Sequence, residues 1–284
     1  MLIRFGHDFE LLCDQETPLV CLVSARPERD ADLREMVPVK TWPPVPVSRY
    51  LDGFGNSCLR MVAPAGSFRF LQDAVIDDTG DPDPLIPTLR QAGIAALPPE
   101  TLGFLLPSRY VESDLLSDAA WQLFGTSATG WARVQTICDF VHGHIAFGYK
   151  DASSLRTAAG AWQDRRGVCR DYAHLALAFC RAMNFPARYV NGYLGDIGVP
   201  FGGPMDFAAW IEVWIEDRWV TFDPRNNTRR IGRIKVAHGR DAADVPLIHS
   251  FGAHKLQKFS VWCDEVSQAA VMPHQIGSRA DHAA

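Results

Sequence analysis

Gly167-Val168-Cys169-Arg170-Asp171-Tyr172 opens an apolar run that continues to Met183. The short glycine-containing turn leads into a helix, and the helix has so little polar surface that it is predicted to be buried in the core. Cys169 lies at the start of this helix, where the positive end of the helix dipole favours a thiolate. The stretch therefore predicts a rigid central helix that carries a nucleophilic cysteine.

Strands follow this helix. Residues 184–186, Asn-Phe-Pro, stop it because proline cannot continue the helical hydrogen bonding. Residues 187–194 are rich in β-branched and aromatic side chains, and apolar and polar residues alternate over 209–215, as in a strand with one buried face. A turn then leads into a third strand that ends at Asp223-Pro224. The segment is predicted to be an antiparallel meander beside the cysteine helix.

The N-terminal part has a different pattern. Several short strands separated by turn signals predict an antiparallel β-sandwich over residues 1–76. Residues 77–125 begin with a Pro-, Asp- and Gly-rich stretch and are interpreted as a linker and helical segment. The cysteine-bearing core is predicted at 126–272 and a flexible tail at 273–284. The predicted fold class is α+β.

Composition restricts the partners and the compartment. The net charge of −5 argues against a nucleic-acid partner, since phosphate binding normally needs concentrated Lys and Arg. No run of 18 apolar residues suggests a membrane span, and no signal segment is apparent, so a cytoplasmic protein is expected. The seven cysteines form no C-x-x-C pair and are interpreted as reduced thiols. No metal or organic cofactor is expected.

One short segment is strongly basic. Arg225, Arg229, Arg230 and Arg233 follow closely after the third strand. Such a cluster can bind phosphate, but a charge run of this length is more typical of a solvated loop. The solvated loop is the interpretation we favour.

Four motifs resemble the bacterial transglutaminase-like superfamily in sequence and in order. They are 167–175 (Gly-Val-Cys-Arg-Asp-Tyr-Ala-His-Leu), 186–193 (Pro-Ala-Arg-Tyr-Val-Asn-Gly-Tyr), 206–213 (Asp-Phe-Ala-Ala-Trp-Ile-Glu-Val) and 219–224 (Trp-Val-Thr-Phe-Asp-Pro). The resemblance implies a papain-like core in which a helix bearing the nucleophile packs on an antiparallel sheet that carries a histidine and an aspartate. Cys169 matches the nucleophile of the family, and Asp223 matches the acid that orients the histidine.

The histidine of the family is replaced. It usually lies two residues before the motif tryptophan, and Ala208 occupies that position. Alanine can neither accept the proton of the cysteine nor pair with a thiolate, and loss of the base typically lowers the rate by several powers of ten. His249 and His254 are the better candidates for a substitute base. His174 and His238 are weaker ones, because His174 is expected to point away from Cys169 on the helix.

Two functions follow from this pattern. If the protein is active, the resemblance implies a cysteine hydrolase or acyl transferase, most simply a protease or amidase. It would form a thioester through Cys169 with a peptide or glutamine-type amide, and hydrolysis is favoured over cross-linking because it needs only water as the second substrate. The alternative is a catalytically impaired member whose cleft binds a peptide or protein partner. The substrate and the oligomeric state are left open.

Overall fold

A computed structural model describes residues 1–202 and 205–267. The chain begins with strands. These are β1 (Leu2–Cys13), β2 (Thr17–Cys21), β3 (Leu33–Met36), β4 (Lys40–Trp42), β5 (Ser48–Leu51), β6 (Ser57–Ala63) and β7 (Gly66–Asp77). A 3-10 helix follows at Pro99–Leu105.

Helices and a second group of strands make up the rest. The helices are α1 (Ser117–Phe124), α2 (Trp131–His144), α3 (Ala158–Asp164) and α4 (Cys169–Ala182). The strands are β8 (Ala146–Phe147), β9 (Arg166–Gly167), β10 (Ala187–Leu194), β11 (Ala208–Ile215), β12 (Arg218–Phe222), β13 (Arg233–Gly239), β14 (Ile248–Ser250) and β15 (His254–Val266).

The N-terminal strands form two antiparallel sheets. One has the order β15-β1-β7-β3, with β4 also paired to β7, and the other has the order β14-β2-β6-β5. Alternating side chains such as Phe9, Phe68 and Phe70 are fully buried, which is why these segments are strands with one face directed at the core. The predicted antiparallel N-terminal sheet structure is confirmed.

The last described strand returns to the first. β15 pairs with β1 along its length, from Leu2 opposite Val266 to Cys13 opposite His254. The segment 126–272, predicted as the core, thus contributes a strand to the sheet of the N-terminal part. The division of the chain at 76, 125 and 272 stays a prediction, and the predicted tail 273–284 lies outside the described residues.

The cysteine helix is the centre of the second half. An antiparallel sheet of order β12-β11-β10-β13 packs against α4, and α1, α2 and α3 contact the same helix. Ala173, Ala176 and Ala178 are fully buried, and their small side chains let the sheet and the neighbouring helices approach closely. The predicted α+β fold with a central cysteine helix on an antiparallel sheet is confirmed.

Candidate active site at Cys169

Cys169 is the first residue of α4 and is held there by a local cap. The Asp171 carboxylate accepts a hydrogen bond from the Val168 backbone N–H at 2.8 Å, which satisfies one of the amides left unpaired at a helix start. A Cβ at Gly167 would lie 2.3 Å from the same carboxylate, so only glycine fits before the cap. The motif sequence thus fixes where the helix begins and where the sulfur lies.

A cleft of about 230 Å³ opens over the cysteine. Its walls come from the segment around Phe147, the start of α4, the start of β11 and the turn after β12. Ala208 lies in this wall, where it pairs with Gly192 of β10. Position 208, where the family resemblance places the histidine, therefore lines the same cleft as Cys169, and alanine supplies no basic group there.

The residues that line the cleft include no histidine in the part of the chain that the structure describes. His174 is fully buried and its Nε2 accepts a hydrogen bond from the Ala242 backbone N–H at 3.2 Å. His238 lies beside Arg188, with 3.3 Å between Nε2 and Nη1. Neither imidazole is placed to receive a proton from Cys169.

The two histidines preferred as substitute bases, His249 and His254, also lie outside the cleft. His249 belongs to β14, which pairs with β2, and His254 begins β15 opposite Cys13. Both are therefore part of the N-terminal sheets, and neither lines the cleft. The hypothesis that His249 or His254 replaces the missing base finds no support in this geometry.

Asp223 is buried and fully engaged. One carboxylate oxygen accepts the backbone N–H groups of Arg225 and Asn226, at 3.1 and 2.8 Å. The other accepts the Asn226 side-chain amide and the Arg233 guanidinium, both at 2.7 Å. A carboxylate offers about four acceptor sites, so none is left for an imidazole. In this structure Asp223 holds the turn after β12 together, and its predicted role in orienting a histidine stays untested.

The surroundings of Cys169 oppose its ionisation. Burial, followed by the negative charge of Asp206, raises the pKa of the Cys169 thiol to about 11. The Ala209 and Arg170 backbone N–H groups act in the other direction but do not outweigh these effects. The thiolate expected from the helix dipole stays a prediction, and desolvation and the charge of Asp206 oppose it.

Asp206 is a cleft residue that the sequence reasoning did not single out. Its carboxylate accepts the backbone N–H of Phe207 at 2.7 Å, and burial raises its pKa. The only available signal was its place at the start of the third motif, two residues before Ala208. The structure thus places an acid, Asp206, in the cleft, two residues from the position at which the family pattern has its histidine base.

The basic segment is also different from the prediction. Arg230 lines the cleft and is only 8% exposed, with its guanidinium donating to the Gly195 carbonyl at 2.8 Å. Arg233 forms ion pairs with Asp83 and Asp223, at 2.8 and 2.7 Å. The favoured interpretation of a solvated loop is wrong for these two arginines, because Arg230 is buried against the Gly195 carbonyl and Arg233 compensates the carboxylates of Asp83 and Asp223.

Within residues 1–202 and 205–267, no group of three or more His, Cys, Asp or Glu side chains is arranged to hold a metal ion. Across the same ranges, every helix is too short or too polar to cross a membrane.

The helix, sheet and cleft define a cysteine-bearing core of the papain-like class, and comparisons with other proteins agree. Residues 118–224 match the transglutaminase-like superfamily. A crystal structure of a candidate cysteine protease from Cytophaga hutchinsonii superposes with a TM-score of 0.82 at 27% identity, covering 94% of this chain and 91% of that one. The similarity to the transglutaminase-like superfamily thus lies in residues 118–224, and the similarity in fold to the Cytophaga structure extends over most of the chain.

Two mycobacterial relatives match over shorter stretches. An uncharacterized protein of Mycobacterium leprae is 41% identical over 125 residues, which is 42% of this chain and 40% of the relative. An uncharacterized protein of Mycobacterium tuberculosis strain H37Rv is 40% identical over 92 residues, 29% of either chain. The matched region thus spans less than half the length of these relatives.

Proposed function

We propose that the Cys169 cleft binds a peptide or a glutamine-type amide of a protein, and that the usual Cys-His-Asp acyl transfer does not operate there. One observation carries the proposal: the position that faces Cys169 in the family pattern is Ala208, and the described lining of the cleft supplies no imidazole. The superfamily and the Cytophaga relative support a peptide-type ligand. The acceptor sites of the Asp223 carboxylate are all occupied by other donors, and this supports loss of the triad.

The binding proposal is tested by protection of the cysteine. Because Cys169 lies in the wall of the cleft, a bound peptide covers its sulfur. Peptides from a casein digest are expected to slow the alkylation of Cys169 by iodoacetamide in a saturable way. Millimolar peptide without any protection contradicts the proposal.

The catalytic part is tested by turnover. Fluorescently labelled casein reports peptide hydrolysis, and a blocked Gln-Gly dipeptide with hydroxylamine reports acyl transfer. The wild-type protein and Cys169→Ala are expected to be indistinguishable in both assays. Turnover that depends on Cys169 contradicts the loss of the triad and favours the second candidate.

That second candidate is a cysteine hydrolase, a protease or amidase, and the carboxyl of Asp206, which lines the cleft, favours it. Burial raises the pKa of the Asp206 carboxyl toward that of the Cys169 thiol, and this makes the Asp206 carboxylate a better acceptor for the thiol proton. In this scheme the Cys169 sulfur bonds to the carbonyl carbon, and the amine leaves with the thiol proton passed through Asp206. Water then cleaves the thioester to the acid and regenerates the thiol. Asp206→Asn is expected to abolish such turnover without removing peptide protection.

A cytoplasmic location is also proposed. All seven cysteines are described, and each is a free thiol. Reduced cysteines are the normal state in the cytosol, whereas secreted proteins usually pair them. Mass spectrometry of the protein from its native host, after rapid thiol trapping, is expected to show seven reduced cysteines.

A further inference from the structure

Arg225 lies in the turn after β12 and lines the Cys169 cleft. Its backbone N–H donates to the Asp223 carboxylate at 3.1 Å, and its carbonyl oxygen accepts a hydrogen bond from Nδ1 of His142 at 3.0 Å. Asp223 is buried and His142 belongs to α2, so the turn is tied to the core and to a neighbouring helix. These two bonds hold the main chain of Arg225 at a fixed place in the cleft wall.

The guanidinium of Arg225 is held as well. Its Cζ lies over the ring of Phe147, a second residue of the cleft wall, at 4.3 Å from the ring centroid. Arginine is attracted to aromatic rings in this arrangement because the faces of the ring carry partial negative charge. Nη1 donates to the side-chain oxygen of Asn226. Because two contacts already fix the guanidinium, it loses little conformational entropy when a ligand binds.

One edge of this guanidinium has no partner. Nε and Nη2 make no hydrogen bond to the described residues, whereas Nη1 does. Neither atom is among the buried polar atoms that lack a partner, so this edge is open to water. Arg230 and Arg233 of the same segment each pair with a carboxylate, whereas Arg225 forms no ion pair in the part of the chain that the structure describes. Two adjacent N–H groups of this kind are the fork that binds both oxygens of a carboxylate.

The charge of Arg225 acts within the cleft but away from the sulfur. Burial and the charge of Asp206 raise the pKa of Tyr149, another residue of the cleft wall, and the charge of Arg225 opposes them. Burial raises the pKa of Asp206 and only a backbone N–H lowers it, so Arg225 does not neutralise this acid. The main groups that lower the pKa of Cys169 are likewise backbone N–H groups. Arg225 therefore provides a positive end of the cleft, separate from Asp206 and Cys169.

We propose that Arg225 binds a carboxylate of the peptide that occupies the Cys169 cleft, so that the preferred ligand has an acidic side chain or a free C-terminus. This inference rests on the proposed function, because it concerns the ligand of the same cleft. Nε and Nη2 each donate one hydrogen bond to a carboxylate oxygen. A carboxamide at the same place has one acceptor oxygen and no charge, so it binds more weakly. Because Arg225 is separate from the sulfur, this carboxylate belongs to a neighbouring residue of the peptide and not to the group beside Cys169.

The probe is a tryptic digest of dephosphorylated casein, and the readout is protection of Cys169 from iodoacetamide. Iodoacetamide is uncharged, so loss of the Arg225 charge does not change its approach by electrostatic attraction. Amidation of the finished digest, with carbodiimide and ammonium chloride, removes every carboxylate. Amidation of casein before digestion removes the side-chain carboxylates only, because trypsin then creates new C-termini. Each alkylation rate is divided by that of the same protein without peptide.

The untreated digest is expected to halve the alkylation rate at a concentration about tenfold lower than the fully amidated digest, because a charged hydrogen-bond pair is lost on amidation. In Arg225→Gln this preference is expected to fall below about threefold, and in Arg225→Lys, which keeps the charge but not the fork, it is expected to be intermediate. Arg229→Gln is the matched control. It removes the same charge from the same segment, where Arg229 is exposed and does not line the cleft, and is expected to keep the full preference.

The digest amidated before cleavage distinguishes the two sources of the carboxylate. If it protects as well as the untreated digest, the C-terminus binds; if it protects as weakly as the fully amidated digest, an acidic side chain binds. Equal protection by the untreated and fully amidated digests of the wild-type protein overturns the proposal and leaves the proposed function intact. A full preference in Arg225→Gln that unfolds cooperatively like the wild type overturns it too. Absence of protection by every digest contradicts both. The comparison of digests on the wild-type protein does not depend on the folding of any variant.

Discussion

The reactivity of Cys169 is the property that separates a binding cleft from an active cysteine enzyme. Papain-like nucleophiles alkylate quickly because a neighbouring imidazolium holds them as thiolates. Here burial and Asp206 raise the pKa of Cys169 to about 11, against about 8.5 for a free cysteine. Alkylation of Cys169 at neutral pH is therefore expected to be slower than that of a free thiol, although Cys169 lines the cleft.

The size of the effect follows from the two pKa values. A difference of about 2.5 units lowers the thiolate fraction at pH 7 by roughly 300-fold. A more basic thiolate is intrinsically more nucleophilic. With a Brønsted slope of about 0.4–0.5, the thiolate of Cys169 reacts roughly 10–18 times faster than that of a free cysteine. The net expectation is alkylation about 20- to 30-fold slower than for a free cysteine, with a rate that still increases above pH 9.

The assay is iodoacetamide alkylation from pH 6 to 11, with the modified peptide that contains Cys169 quantified by mass spectrometry. Glutathione in the same tube is the reference thiol. The other six cysteines are buried and provide an internal check that the protein stays folded. Alkylation faster than glutathione, with a midpoint below pH 8, refutes the reasoning, because it requires a stronger positive charge at the sulfur than the cleft arginines Arg225 and Arg230 supply.

Further predictions concern the site and the fold. Ala208→His places an imidazole in the cleft and is expected to lower the alkylation midpoint of Cys169 by about 1–3 pH units, as an imidazolium nearby does; an unchanged midpoint shows that position 208 does not reach the sulfur. Asp223→Ala leaves Arg233 with Asp83 as its remaining acid and is expected to cost about 3 kcal/mol in urea denaturation, whereas a loss under about 0.5 kcal/mol contradicts the structural role. Because the pKa of Asp223 is held below its ordinary value despite burial, chiefly through Arg233, its contribution is complete above about pH 4 and is lost as the pH falls through the lower folded value; the acid limb of a pH-stability curve is therefore expected to flatten in Asp223→Ala. Deletion of residues 254–284 removes β15 from β1 and is expected to abolish cooperative unfolding, with equal stability of the shortened chain as the contrary result.

Local patterns in the sequence were sufficient to predict the secondary-structure elements around the site. The strand predicted at 187–194 is β10, and the alternation over 209–215 lies within β11. The motif order also indicated that Ala208 faces the cysteine cleft. These features are local, because helix capping, proline stops and alternating burial each depend on residues close in the chain.

Contacts between distant segments were not predictable in the same way. Burial of Arg233 depends on Asp83, 150 residues earlier in the chain, and closure of the first sheet depends on β15. Strand pairing likewise decides where His249 and His254 lie. Nothing in their local sequence distinguishes a residue of the cleft from a residue of a sheet. Each of these outcomes depends on long-range pairing.

By itself, the sequence determined a cysteine at the start of a buried helix, an antiparallel sheet beside it, and an alanine in place of the family histidine. Only the tertiary structure supplies the groups that raise the pKa of that cysteine. The helix dipole belongs to α4 and can be predicted from it, whereas desolvation and the charge of Asp206 come from segments folded against it. Because ionisation depends on the whole surrounding dielectric and charge distribution, the motif alone does not determine the pKa of its cysteine.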